Sequence, residues 1–190
     1  MDFINTVIDE HIRVVDTVRE MNIAITLIAK SCADALSNGK KIIFCGNGGS
    51  ASDSQHLAGE LVGRLKGNRR SLAALALGAD SAVMSCIGND YGYEQVFARQ
   101  VEGLGRPGDV LFGISTSGNS RNVVLAIHAA NAIGILTVGL LGGSGGELMG
   151  LCNQTLCISA SSETARIQEA HILIGHCICA LIEKELGLIA

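Results

Sequence analysis

The residues best suited to chemistry are a histidine and a glutamate four apart, His56 and Glu60, and a second histidine far along the chain, His176. On a helix, residues four apart share one face, so an imidazole and a carboxylate stand side by side. Arg64 continues the same spacing. A carboxylate such as Glu60 can move a proton, and an imidazole titrates near neutrality. His56, Glu60 and His176 also form a donor set suited to Zn²⁺. The bland alternative for His56 and Glu60 is an ordinary surface pair. Gln168 and His176 are eight apart on the final helix, and Gly175 beside them permits close approach of another element.

Two loops could hold an anion. The first is Gly46-Asn47-Gly48-Gly49-Ser50, and the second is Ser115-Thr116-Ser117-Gly118-Asn119-Ser120. Each leaves an apolar strand and enters a helix. Glycine lets the backbone approach a ligand, and the free N–H groups of a helix start, with hydroxyl donors, make an anion cradle. The second loop supplies four hydroxyls in six residues and no Lys or Arg. A phosphate held there is neutralised by dipoles. The same residues could be plain turns, but two such loops at equivalent positions favour a site. Gly46-x-Gly48-x-x-Ala51 formally matches a dinucleotide fingerprint, which requires an acidic residue about 20 positions on. That stretch offers Lys66, Arg69 and Arg70 instead. Neither loop ends in the Gly-Lys-Ser/Thr of a nucleotide-binding P-loop.

The elements that must position these groups follow from the pattern of the 190 residues. Residues 2–38 hold no Gly or Pro, and Ile4, Val7, His11, Val14, Val18, Met21, Ile25, Ile28, Cys32 and Ala35 form a heptad seam. This predicts one long helix, packed on its own domain or in an intersubunit bundle, with Gly39 at its end. Strands are predicted at 41–45, 72–77, 109–114, 135–140 and 154–158. Helices are predicted from the first loop to about residue 66, from the second loop to about 133, and from 163 to about 186. Strands alternating with helices imply a doubly wound α/β domain with a parallel sheet, spanning 1–190 without a linker. Ligands of such sheets bind outside the carboxyl ends of the strands.

Bulk composition narrows the partners. Net charge is −4 and aromatic residues make up 3%, which argues against a nucleic-acid partner. The seven cysteines contain no CxxC pair and read as reduced core residues of a cytoplasmic protein. No apolar leader opens the chain. Residues 123–146 carry no formal charge, but they divide into helix, turn and strand and do not read as a membrane span. His11 is expected to be a solvated or interface residue, and His128 and His171 structural.

Together the two loops and Arg166-Ile167-Gln168-Glu169 resemble the sugar isomerase (SIS) family. The set His56, Glu60, Asn89-Asp90, Gln168 and His176 is more specifically similar to its phosphoheptose isomerase branch, along almost the whole chain. The resemblance implies an SIS-type sheet of about five parallel strands flanked by helices, with a long N-terminal helix. It implies an aldose–ketose isomerase taking D-sedoheptulose 7-phosphate to D-glycero-D-manno-heptose 7-phosphate, the first step towards activated heptose for lipopolysaccharide or capsule. Glu60 and His176 would be the acid–base pair. Asn47, Gly48, Gly49, Ser50, Glu60, Arg64, Asn89, Asp90, Ser115, Thr116, Ser117, Ser120 and Gln168 would contact substrate. Zn²⁺, one per subunit, would sit on His56, Glu60, Gln168 and His176. A homotetramer with active sites between subunits is expected. Some members carry an acidic residue where this chain has Ala165, so a role for a carboxylate there is absent. Two competing readings are a catalytically silent SIS adaptor binding a replication initiator and an isomerase of another phosphosugar.

Overall fold

A computed structural model of the chain describes residues 2–189; the two terminal residues of the expected 1–190 domain lie outside the described range. The chain runs α1 (Phe3–Glu20), α2 (Asn22–Ser37), β1 (Ile42–Gly46), α3 (Gly49–Val62), β2 (Ala74–Ala76), α4 (Ser81–Tyr91), α5 (Ala98–Leu104), β3 (Val110–Ser115), α6 (Arg121–Ala132), β4 (Leu136–Gly142), β5 (Gln154–Ile158) and α7 (Thr164–Glu185). Short 3₁₀ turns occupy Tyr93–Gln95 and Glu147–Gly150.

The five strands form one sheet in the order β2-β1-β3-β4-β5, and every pairing is parallel. Strand side chains alternate between faces. Ile42, Phe44, Val110, Phe112 and Ile114 pack with α1, α2, α3 and α7 on one face. Ile43, Cys45 and Leu111 pack with α4, α5 and α6 on the other. Both faces are therefore covered, as the near-continuous apolar strands require. The winding direction reverses between β1 and β3, which are register neighbours through Gly46 and Ile114. That is the topological switch point, where such sheets open a crevice. Both loops expected to hold an anion leave the sheet there.

The expected single N-terminal helix is two helices, broken at Met21 (φ −87°, ψ 4°). No Gly or Pro marks the break. On α2 the seam is buried at Ile25, Ile28 and Cys32, whereas on α1 only Val14 and Val18 are buried. The turn at Met21 re-aims α1 and leaves Phe3, Ile4, Ile8 and Ile12 exposed. The helix after the first loop stops at Val62 and does not reach residue 66, because residues 63–70 are tied down elsewhere. The helices α4 and α5 were not legible in the sequence pattern; only Ile87 of α4 is buried.

The seven cysteines are unpaired. Burial pushes the thiols of Cys32 and Cys45 up, and that of Cys179 up to about 12, as befits inert core groups. By length and composition α7 could cross a membrane, but 44% of its apolar window is buried in this domain.

Candidate active site

The helices α3 and α7 run side by side in the same direction. Gly49 meets the Gln168 amide, Leu57 meets Gly175, His56 meets His176, and the N–H of Leu65 reaches Glu183. A Cβ at Gly175 would come within 2.5 Å of Leu57, so glycine is what lets the helices approach this closely. On α3, Gly49, Asp53, His56 and Glu60 are spaced by four, three and four and share one stripe.

The far end of that stripe holds the candidate reactive groups. His56 Nε2 lies 3.0 Å from Glu60 Oε1 and 2.9 Å from His176 Nε2. The three donor atoms lie within 4.8 Å of one another. One ring proton on His56 cannot serve both neighbours, so hydrogen bonding alone leaves the cluster imperfectly satisfied. A tetrahedral Zn²⁺ with bonds of about 2.0–2.1 Å would place its donor atoms about 3.3 Å apart. The observed spacing, two imidazoles and a carboxylate converging, fits a divalent cation after a small opening.

Gln168 is seated differently. Its amide lies against Gly49, at the start of α3, where an added Cβ would fall 2.5 Å from Nε2. Eight helical residues rise about 12 Å, so Gln168 stands two turns from His176, beside the first loop. Arg64 does not continue the His56–Glu60 face as its spacing suggested. The helix ends at Val62, and Arg64 lies exposed beyond it.

Between the loop and the cluster stands Asp53, which the sequence reading missed. Its Oδ2 is buried without a hydrogen-bond partner. Burial raises its pKa, while the nearby His56 and His176 pull the other way. Its spacing of three from His56 was the available signal.

The loops themselves are built as cradles. Asn47 and Gly48 bridge β1 to α3, and Gly49 begins the helix. Ser50 is 3% exposed and packs against Gly46, so its part is to shape the loop. In the second loop the Ser115 hydroxyl lies 2.9 Å from that of Ser120 and 3.4 Å from that of Ser117. It also accepts the N–H of Gly118 at 3.1 Å. Thr116 is half-buried between them. Gly118 has φ +67°, and its Cα faces the Gly145 carbonyl of a second glycine-rich turn. The N–H of Leu148 returns to the Gly118 carbonyl at 3.0 Å. Gly118→Ala is expected to cost about 1–3 kcal/mol from left-handed backbone alone. Calorimetry should then show the thermal midpoint falling by at least about 3 °C; an unchanged midpoint would mean that the loop relaxes freely.

Asn89 and Asp90 end α4. Both are exposed, and the Asn89 amide donates to Asp90 Oδ1 at 2.7 Å. The chain then turns at Gly92 into the 3₁₀ turn, whose Tyr93 hydroxyl donates to Asn47 Oδ1 at 3.1 Å. This brings the end of α4 to the first loop. His171 is fully buried, with its Nε2–H donating to the Leu141 carbonyl at 2.9 Å, and burial holds it neutral. His11 pairs with Glu169 at 2.8 Å, and His128 is exposed.

Comparison with known proteins agrees with this architecture. The family described as the SIS domain matches residues 6–142. The chain is 56% identical over 160 residues to a phosphoheptose isomerase of Akkermansia muciniphila, covering 84% of each protein. Among solved structures, a phosphoheptose isomerase from Neisseria gonorrhoeae superposes with a TM-score of 0.89 at 40% identity, covering 95% of this chain and 97% of that one. One from Francisella tularensis gives a TM-score of 0.92 at 37% identity, covering 96% and 97%. Paired loops at the switch point of a five-stranded parallel sheet, a His–Glu–His cluster along the adjoining helices, and these similarities over nearly the full length lead to one assignment: the chain belongs to the SIS-domain family, in its phosphoheptose isomerase branch.

Proposed function

We propose that the chain interconverts D-sedoheptulose 7-phosphate and D-glycero-D-manno-heptose 7-phosphate in the crevice along α3 and α7. The observation that carries this reading is a match of lengths. From Gly49 to His56 the helix rises about 10.5 Å. An open seven-carbon chain with its phosphate ester, advancing about 1.25 Å per bond, also reaches about 10 Å. With its phosphate on the Ser115, Thr116, Ser117 and Ser120 hydroxyls and the loop amides, such a substrate extends C1 and C2 towards Glu60 and His176. Asp53 then flanks its middle hydroxyls, Gln168 stands near its phosphate end, and Asn89 and Asp90 approach from α4. A shorter phosphosugar anchored at the same loops would fall short of the cluster.

The ketose must open, lose a proton from C1 and gain one at C2. Glu60 takes the C1 proton and returns it to C2. Its Oε1 faces His56, and its Oε2 has no hydrogen-bond partner among the described residues, leaving one oxygen free to act as base. His176 donates to the C2 oxygen as the enediol forms and accepts from the C1 oxygen as the aldehyde appears. The phosphate grip supplies binding energy remote from these carbons and fixes their position. His56, Glu60 and His176 would hold a zinc ion, one per subunit, with Gln168 joining from a neighbouring subunit. Zinc when bound would polarise the carbonyl. The exposed Phe3, Ile4, Ile8 and Ile12 on α1 support assembly of several copies, and a tetramer with shared sites is the reading adopted. The unpaired cysteines accord with a cytoplasmic enzyme.

The test is incubation with sedoheptulose 7-phosphate, following the aldose 7-phosphate. Conversion is expected, falling at least about tenfold after exhaustive chelation and recovering with added Zn²⁺. Full turnover by metal-free protein would remove the metal from the reaction. No conversion under any metal condition would favour a silent adaptor.

A further inference from the structure

Asn47 and Asn122 form a reciprocal amide pair between the two anion loops. Asn47 Nδ2 donates to Asn122 Oδ1 at 2.9 Å, and Asn122 Nδ2 donates to Asn47 Oδ1 at 2.8 Å. Asn122 is the second residue of α6 and is 3% exposed, so it belongs to the frame of the second loop. Asn47 is the first residue of the first loop after β1.

The sense of the pair is fixed from outside. The backbone N–H of Val123 reaches Asn122 Oδ1 at 3.0 Å. An N–H can only donate, so that atom is the amide oxygen. The facing Asn47 atom is then nitrogen, and the other Asn47 atom is oxygen. The Tyr93 hydroxyl, 3.1 Å from that oxygen, must be a donor. Each oxygen now accepts two hydrogen bonds, while each amide keeps one N–H unspent. The Asn47 amide is thus held by three groups on two other segments, and its one remaining donor has a set direction.

We propose that Asn122 and Tyr93 are positioning residues for the isomerase reaction, fixing the separation of the two anion loops through the Asn47 side chain. The strands below set the loops side by side, but only this pair joins them by side chains among the described hydrogen bonds. Neither residue touches the reacting carbons. Losing the clamp should therefore weaken the phosphate grip, a contribution equal in ground and transition states, and so raise KM more than it lowers kcat. The proposal rests on the reading that these loops hold phosphate, and the experiment separates the two.

Inorganic phosphate is the probe, as a competitive inhibitor of the intact oligomeric enzyme. Tyr93→Phe removes one hydrogen bond from a side chain 59% exposed, so folding should be untouched. KM and the phosphate inhibition constant are expected to rise together by about three- to tenfold, with kcat within about twofold and the thermal midpoint unchanged. Asn122→Ala should raise both constants further. Adding Asn47→Ala to it should raise both constants only by the loss of the one free Asn47 donor, because the clamp itself is already gone. A merely structural role would instead lower the midpoint and the active fraction while leaving KM and the inhibition constant alone. Unchanged constants in Tyr93→Phe, with the unaltered enzyme inhibited by phosphate, would overturn the clamp alone. Absence of competitive phosphate inhibition in the unaltered enzyme would overturn the phosphate reading and the clamp with it.

Discussion

Glu60→Gln is expected to lower kcat for sedoheptulose 7-phosphate by about 10²-fold or more, with KM little changed. The substitution keeps the shape of the side chain and its contact with His56, 3.0 Å away. It removes the ability to carry a proton from C1 to C2. Glu60 is half-buried near the end of α3, not locked in the core, so folding should be preserved. The readout is a steady-state assay of the aldose product, with the thermal midpoint measured alongside. A fall in kcat at constant midpoint assigns the proton transfer. Near-normal kcat would take Glu60 out of that role and leave it as a ligand or a surface pair.

The largest expected effect on stability lies elsewhere, at Glu183 and Arg69. Both side chains are almost fully buried, at 0% and 1% exposure. The Glu183 carboxylate accepts Arg69 Nε–H at 2.7 Å and the backbone N–H groups of Leu65 and Lys66 at 3.1 and 3.3 Å. Arg69 in turn donates to the carbonyls of Leu61 and Glu60, each at 2.8 Å, satisfying acceptors that the end of α3 leaves open. Removing one partner strands the other charge in the interior. Glu183→Ala should therefore cost about 3–5 kcal/mol, a fall in midpoint of roughly 6–20 °C for a domain of this size. Denaturant unfolding measures it; a loss below about 1 kcal/mol would place the pair with ordinary surface bridges.

The same carboxylate gives a pH dependence. Burial alone would raise its pKa, but the Leu65 N–H, the Arg69 guanidinium and the Gly67 N–H outweigh burial and hold it below the usual value. A carboxylate lowered in the folded state contributes stability in full above its unfolded pKa of about 4.3, and loses it as the pH falls through the folded value. Stability should therefore decline more steeply below about pH 4.3 in the unaltered protein than in Glu183→Gln. Because Arg69 holds the Glu60 carbonyl, damage here should also reduce turnover.

The parts of the site legible in the sequence are those encoded locally. Gly46 to Ser50 and Ser115 to Ser120 follow short apolar runs, and both were readable as strand-to-helix cradles. The His56–Glu60 spacing was readable as one helical face. Their grouping with His176 was expected from residue type and the family resemblance but is encoded by no local pattern, since it depends on α3 and α7 packing through Gly175 and Leu57 across more than a hundred residues. Asp53 looked like one more polar helix residue until burial left its Oδ2 without a partner. Asn122 and Tyr93 carry no local signature, because an amide pair is visible only once both loops are in place. The buried pairing of Arg69 with Glu183 likewise has no local signature, because the two lie 114 residues apart. The break at Met21 follows from how α1 and α2 wrap the core, and the heptad pattern runs through it unaltered. Arg64 was misplaced because the bonds from Glu183 to Leu65 and Lys66 end the helix early.

The most direct test is a crystal structure of Glu60→Gln with sedoheptulose 7-phosphate bound. The account predicts the phosphate among the hydroxyls of Ser115, Thr116, Ser117 and Ser120, with the sugar extended so that C1 and C2 lie within reach of residue 60 and His176 of one or adjoining subunits. A phosphate bound away from both loops, or a sugar whose first two carbons lie far from His176 in every subunit pairing, would contradict it.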